Sequence, residues 1–400
     1  MKIICESFQK SYQADEYDVV VAGGGIAGVA AALAAARNGA GKVLLIEKQF
    51  SLGGLATLGL VTIYLPLCDG EGHQVTFGMT EELLKLSILH GAEDRYPDAW
   101  LDGDNIEKRK SQRYEVQYNA SVFSILAEQL LLKTGVTILY GTSVCAVQTE
   151  ADRITALMLE NKSGRTAVCA KTVIDATGDA DICHLSGEGT VNFTPGNVLA
   201  SWYYRQENGT NNLTMHGYAE SPKAYLGKTL ADPAVGGKRY SGLDGAELSG
   251  MIIDSHKNVL EDLLRRGLRA PDLTSMAAIP QVRMTRRIDG LVTPDEDSDA
   301  VYEDSIGIIG NWKERGPSYE LPFGCLKGKK IRNLLAAGRC VAATDLMWDL
   351  TRVIPTCALT GEAAGTAAAM TDDFDALDIR ALQAKLRENG NVLHKSELGL

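Results

Sequence analysis

The stretch Asp18–Glu47 reads DVVVAGGGIAGVAAALAAARNGAGKVLLIE, and the order of its parts decides the fold. Val19 to Ala22 form a short apolar run of the kind buried in a parallel sheet. Gly23, Gly25 and Gly28 follow in G-x-G-x-x-G spacing. An alanine-rich helix comes next, then a second apolar run, Val43 to Ile46, that ends on Glu47. Each part has a job in dinucleotide binding. Gly23 permits a tight turn, Gly25 lets the backbone approach a pyrophosphate, and Gly28 lets helix and strand pack closely. The helix start offers free N–H groups and a positive dipole end to the phosphates. Glu47 lies 19 residues beyond Gly28, where a carboxylate accepts from a ribose 2′-OH. The motif alone does not separate NAD from FAD.

The rest of the composition sets bounds. A chain of 400 residues is long enough for two domains, and 45% hydrophobic with 23% charged residues is ordinary for a globular protein. A net charge of −11 argues against nucleic acid as a partner. The eight cysteines are scattered, with no C-x-x-C pair and no His/Cys cluster at metal spacing. That usage fits a reducing compartment and gives no metal site. The opening MKIICESFQKSYQADE lacks the apolar core of a signal peptide. The longest apolar run, Val19–Ala36, is interrupted by Gly23, Gly24 and Gly25. No membrane span is expected, and the cytoplasm is the expected location.

Beyond Glu47 come Lys48 and SLGGLATLGLV, Ser51 to Val61, where Gly53 and Gly54 suggest another close approach to a ligand, with Thr57 as a hydroxyl beside it. Helices are predicted over Thr80–His90, with Thr80 as N-cap, and over Asn119–Lys133. The segments around Val136–Val147, Ile154–Glu160 and Thr166–Cys169 predict a strand and a small antiparallel meander. Val173–Asp175 then runs into A-T-G-D-A-D, residues 176–181, a strand ending in a small-residue turn. A region from about 191 to 319 differs in texture, with clustered Trp202, Tyr203 and Tyr204, a helix predicted over Met251–Leu268, and QVRMTRRIDG at 281–290. Read as a strand, that last segment puts Arg283 and Arg287 on one face and Arg286 on the other. The chain returns to strand and helix at Asn333–Ala336, Pro355–Ala369 and Asp378–Glu388.

With these pieces assembled, the chain resembles the FAD-dependent oxidoreductases related to the fumarate reductase and succinate dehydrogenase flavoproteins. The likeness runs along the whole chain and is carried by DVVVAGGGIAGVAAALAAA, SLGGLATLGLV, KTVIDATGDADI, RMTRRIDG, SYELPFGCL, NLLAAGRCVAATD and RVIPTCALTGEAAGTAAA. It implies an α/β fold: a Rossmann-like FAD-binding domain of the glutathione-reductase type, with an inserted meander and a second α+β covering domain. The expected division is 1–190 and 320–400 for the FAD-binding domain and 191–319 for the covering domain. The ADP part of FAD is then expected on Gly23, Gly25, Gly28 and Glu47, flanked by Lys48 and the backbone near Val144. Gly53, Gly54 and Thr57 approach the flavin end, Thr177 and Gly178 run along the cofactor, and Gly338, Arg339 and Thr356 close the site. Relatives carry acid or histidine positions that here are Asp345 and Met347, and Asn311, Trp312 and Lys313, while Gly324 stands where an arginine is common. Acid–base roles therefore do not carry over. Leu55 and Ala56 occupy the place of the histidine that attaches flavin in fumarate reductases, so the FAD is expected to be non-covalent.

The expected function is hydride transfer between FAD and a small organic, carboxylate-bearing molecule. Arg352, Arg287 and Arg286 are the candidates for the reacting end, since a guanidinium clamps a carboxylate with forked donors. No second glycine fingerprint is present, so the electron donor or acceptor stays open. Two other readings are a flavin-dependent RNA-modifying enzyme and a binding protein that keeps the fold without catalysis.

Overall fold

The structure is a computed structural model that describes residues 11–103, 105–217, 223, 227–229 and 237–400. The first ten residues of the polar arm and much of the turn-rich stretch after Gly217 lie outside them. The apolar run after Asp18 completes β1 (Asp15–Ala22) inside a seven-stranded sheet. The other strands are β2 (Val43–Ile46), β3 (Thr137–Leu139), β4 (Ser143–Glu150), β5 (Arg153–Asn161), β6 (Gly164–Asp175) and β7 (Leu334–Ala336). Their order is β3-β2-β1-β6-β5-β4, with β7 beside the end of β6. Strands β1, β2, β3, β6 and β7 run parallel, and β4 and β5 form the antiparallel meander. Val20 sits opposite Leu44 on one side and Val173 on the other, all buried, as a strand covered on both faces requires.

Strand β6 corrects the expectation of two separate segments, Thr166–Cys169 and Val173–Asp175. The polar pair Lys171–Thr172 interrupts the apolar pattern, but the backbone keeps its ladder: Ala170 and Thr172 pair with Tyr17 and Val19 of β1.

The main helices are α1 (Ile26–Arg37), α2 (Met79–Ser87), α3 (Ala120–Lys133), α4 (Asp181–Leu185), α5 (Gly245–Arg265), α6 (Asp345–Thr351), α7 (Ile354–Met370) and α8 (Ile379–Glu388). The small faces of α1 and α7 meet, with Ala27, Ala30 and Ala31 against Gly361 and Gly365. Asn119 and Asp378 cap α3 and α8 through their side chains. Helix α2 is capped by Gly78 at φ +65, not by Thr80, which is buried inside its first turn. Helix α5 starts at Gly245 rather than Met251, because Asp244 caps it and its first turn is too polar to show apolar periodicity.

A separate three-stranded antiparallel sheet consists of Thr210–His216, Ser201–Glu207 and Leu273–Met276, and Tyr204 and Ala277 pack on Leu60. Helix α5 is pinned to this sheet by Tyr203, Val259 and Leu263. A hairpin of Ser305–Gly310 and Ser318–Pro322 joins the main core through Ile306, Ile309 and Leu321. The Arg-rich segment departs from its predicted form, since only Arg286–Ile288 is strand. Residues 281–285 are irregular because the Asn197 side chain claims their backbone. Its Oδ1 accepts from the N–H groups of Arg283 and Met284 at 2.8 and 3.0 Å, and its Nδ2 donates to the Met284 carbonyl at 2.6 Å. Among the described residues, no helix is long and apolar enough to cross a membrane, and no group of three His, Cys, Asp or Glu is placed to hold a metal ion.

Candidate cofactor and active site

One cavity of about 620 Å³ runs along the carboxyl ends of β1, β2, β6 and β7, where ligands of open α/β sheets bind. Gly23 (φ +104) makes the turn out of β1, and a Cβ there would lie 2.4 Å from the Ala176 carbonyl oxygen. Gly25 is different. A Cβ on it would meet nothing within 4 Å, because it faces the cavity. Gly28 stays out of the cavity wall; a Cβ there would stand 1.8 Å from the Gly23 carbonyl oxygen, so its job is close packing.

The first bond inside α1 runs from Val29 N–H to the Gly25 carbonyl, leaving the N–H groups of Ile26, Ala27 and Gly28 ahead of the ladder. No acid stands in that first turn, nor in the first turn of α7. Both helix starts open on the same cavity, through Gly25, Ile26 and Ala27 and through Val353, Ile354 and Cys357.

Glu47 is buried, and each carboxylate oxygen accepts one backbone N–H, from Gly24 and from Gln49, both at 2.7 Å. Each oxygen keeps a second lone pair for a ribose hydroxyl. Lys48 and Val144 line the cavity beside it. Gly53 and Gly54 lie on the start of α1, with Gly53 N–H donating to the Gly24 carbonyl at 2.8 Å. Thr57 does not reach the cavity. Its hydroxyl donates to the Leu52 carbonyl at 2.5 Å and locks the double-glycine loop from behind. Thr356 is likewise turned away, bonded to the Leu350 carbonyl at 2.9 Å. Thr177 and Gly178 line the wall, held by the fully buried Asp175, which accepts from the Thr177 hydroxyl at 2.6 Å.

Gly338 (φ +75) and Arg339 complete the wall, and Arg339 donates to the Val282 carbonyl at 2.7 Å and pairs with Asp179 at 3.1 Å. Asp181 also lines the cavity, and burial, then Asp179 and Asp175, push its carboxyl up to about 6. The Cys357 thiol is pushed up to about 12 by burial, so it is a neutral wall group rather than a nucleophile.

Of the three arginines expected at the reacting end, Arg352 lines the cavity, with Nε 3.0 Å from Asp349. Asp349 also holds Lys313. Arg286 and Arg287 do not reach the cavity. Arg286 pairs with Asp181 at 2.7 Å and donates to the Asp179 carbonyl, while Arg287 lies 5.3 Å from the Trp348 ring centroid and 3.9 Å from Asp345. Their place is taken by Arg283, which lines the cavity and is 6% exposed. Strand alternation would put Arg283 and Arg287 on one face, but the irregular backbone at 281–285 breaks the two-residue period and only Arg283 reaches the cavity.

Open glycines, free helix N–H groups, a buried acid and a lysine together fit the diphosphate and ribose of a dinucleotide. The family described as FAD dependent oxidoreductase matches residues 18–236 and 238–386. No curated protein matches the chain. Among solved structures, it is similar to a geranylgeranyl bacteriochlorophyll reductase-like protein from Thermoplasma acidophilum (14% identity, 94% of this chain and 83% of that chain, TM-score 0.45). It is also similar to a chain of the Mycobacterium smegmatis Sdh1 complex (14%, 97% and 71%, TM-score 0.47). A third is p-nitrophenol 4-monooxygenase PnpA from Pseudomonas putida DLL-E4 (14%, 94% and 81%, TM-score 0.41). Likeness at that level says nothing of substrate. The family match spans nearly the whole chain, and with it the glycine turn and the second helix start find one explanation: this is a member of the FAD dependent oxidoreductase family, an enzyme whose cofactor is FAD.

Proposed function

We propose that the chain transfers a hydride between non-covalently held FAD and a small organic substrate that bears a carboxylate. Bound FAD supplies the two-electron acceptor and donor. Gly23, Gly25 and the start of α1 hold the diphosphate, Glu47 the ribose, and Lys48 with the backbone at Val144 the adenosine. Gly53, Gly54, Thr177 and Gly178 line the cofactor's length. Gly338, Arg339 and the start of α7 close around the ring, where the helix dipole favours the negative charge of the reduced form. Residues 1–190 and 320–400 act as the cofactor-binding part, and 191–319 as its cover.

The observation that carries the substrate reading is the gathering of Arg283, Arg339 and Arg352 in the wall that also holds the start of α7. Fixed guanidiniums orient an anion and stabilise charge that develops on it during transfer. The test is to release the cofactor by acid, identify it as FAD, then photoreduce the holoprotein without oxygen and screen organic acids for reoxidation. Stoichiometric FAD and reoxidation by an organic acid are expected. A holoprotein whose reduced flavin no organic acid reoxidises would remove the reading.

A further inference from the structure

Arg283 differs from the other arginines of the cavity wall in its partners. Arg352 has turned Nε and Nη2 to Asp349, and Arg339 is paired with Asp179. Among the described residues Arg283 has no carboxylate partner. Its Nη1 donates to the Gln281 carbonyl at 3.1 Å, its guanidinium stands 5.0 Å from the Trp202 ring centroid, and its Nη2 is buried without an acceptor. Burial, then the charges of Arg352 and Arg339, hold its proton affinity down to about 9. A desolvated cation without a counter-ion destabilises the protein that carries it. Such a group is retained where a ligand brings the missing charge. The side-chain donors Lys48, Gln49, Thr142, Ser143 and Thr177 of the wall flank Glu47 or follow β6, whereas Val61, Ile63, Leu65, Leu248, Ile279 and Pro280 of the same wall offer none.

We infer that the substrate is a monocarboxylate with an apolar body, its carboxylate seated on Arg283. This rests on the hydride-transfer reading of the cavity. One anionic group satisfies the free guanidinium. A second carboxylate would be pressed against apolar side chains, since the forks of Arg352 and Arg339 are already engaged. The specificity therefore excludes dicarboxylates by leaving their second charge desolvated.

The experiment titrates the oxidised holoprotein with cinnamate, sorbate, cinnamamide, fumarate and succinate, following the flavin absorption bands. Cinnamate and sorbate are expected to shift the bands saturably, with cinnamamide at least 10-fold weaker and both dicarboxylates at least 100-fold weaker. Arg283→Gln and Arg283→Met are expected to weaken monocarboxylate binding at least 100-fold while keeping one FAD per chain. Apoprotein carrying Arg283→Met is expected to melt at a higher temperature than the parent apoprotein, because an unpaired buried charge is gone. Several results overturn the inference: no shift with either monocarboxylate, equal binding of cinnamate and its amide, or tighter binding of a dicarboxylate. Loss of FAD from the Arg283 variants would assign the cation to the cofactor. A lowered melting temperature with unchanged binding would make it structural. Reoxidation of photoreduced flavin is measured separately. If binding behaves as expected but no monocarboxylate or other organic acid reoxidises the flavin, the hydride-transfer reading falls and the binding site stands. If a neutral compound reoxidises it independently of Arg283, the inference falls and hydride transfer stands.

Discussion

A Cβ placed on Gly361 would lie 2.2 Å from the carbonyl oxygen of Ala27. This contact sets how closely α7 packs on α1, and so where two helix starts meet one cavity. Gly361→Ala must force the helices apart. The expected loss is about 1–3 kcal/mol of stability, read by thermal unfolding, together with weaker FAD retention. Unchanged melting and full FAD content would mean the helices are held apart by something else.

Gly25 and Gly28 differ by three positions and should fail in different ways. Gly25→Val adds a side chain that meets no protein atom at its Cβ. The variant should fold with near-parental circular dichroism and carry no flavin. Gly28→Val drives its Cβ into the Gly23 carbonyl and should fail to fold. Soluble, flavin-loaded Gly25→Val would contradict the placement of the diphosphate.

The arginines separate by reach. Once a reoxidising substrate is known, Arg352→Lys should lower kcat/KM roughly 10–100-fold, since a lysine cannot keep the forked hold on Asp349 that fixes this charge in the cavity wall. Arg286→Lys and Arg287→Lys should stay within about 3-fold, because both are held outside the cavity by Asp181, Trp348 and Asp345. The reverse ranking, with FAD content equal in all three, would restore the arginines of 286–287 to the site.

Glu362 gives a pH signature. It is buried in α7, accepts the Met79 N–H at 3.0 Å, and is pushed from 4.5 up to about 7 by desolvation, with a smaller push from Glu82, against the opposing hydrogen bonds of Asn391 and Met79 and the charge of Arg37. Between those values the folded state holds a proton that the unfolded chain has released. Stability from this group is therefore fullest below about 4.5 and falls as pH rises towards 7, by on the order of 3 kcal/mol. Glu362→Gln should gain stability over the parent across that window and hold a constant lead above it. Denaturant melts at pH 5 and pH 7.5 check it; a lead that does not grow with pH would contradict the shift.

The parts of the site that were legible in the sequence are those fixed by local rules. Gly23, Gly25 and Glu47, which line the cavity, and Gly28, which packs behind it, stand in one strand–turn–helix–strand unit, where spacing alone sets their directions. Gly53, Gly54, Gly178 and Gly338 announce themselves by the φ values their turns require. The misplacements came from longer range. Thr57 finds a backbone carbonyl in its own loop and Thr356 one in the preceding helix, which no count of hydroxyls reveals. Arg283 reaches the cavity where Arg286 and Arg287 do not because Asn197, 86 residues earlier, binds the backbone of this segment outside any strand. That side chain could have been suspected only from its need to satisfy two donors and an acceptor.

The last strand of the sheet, β7, docks beside the end of β6, and α7, which comes after α6, lies along α1. A ribosome has made the complete glycine fingerprint early, yet most of the chain must still emerge before the far wall of the cofactor cavity exists. Until then α1 shows its small-residue face to water, or to a chaperone. A chain interrupted between Glu47 and Leu334 would have the motif and lack the cavity wall that Gly338, Arg339 and the start of α7 supply.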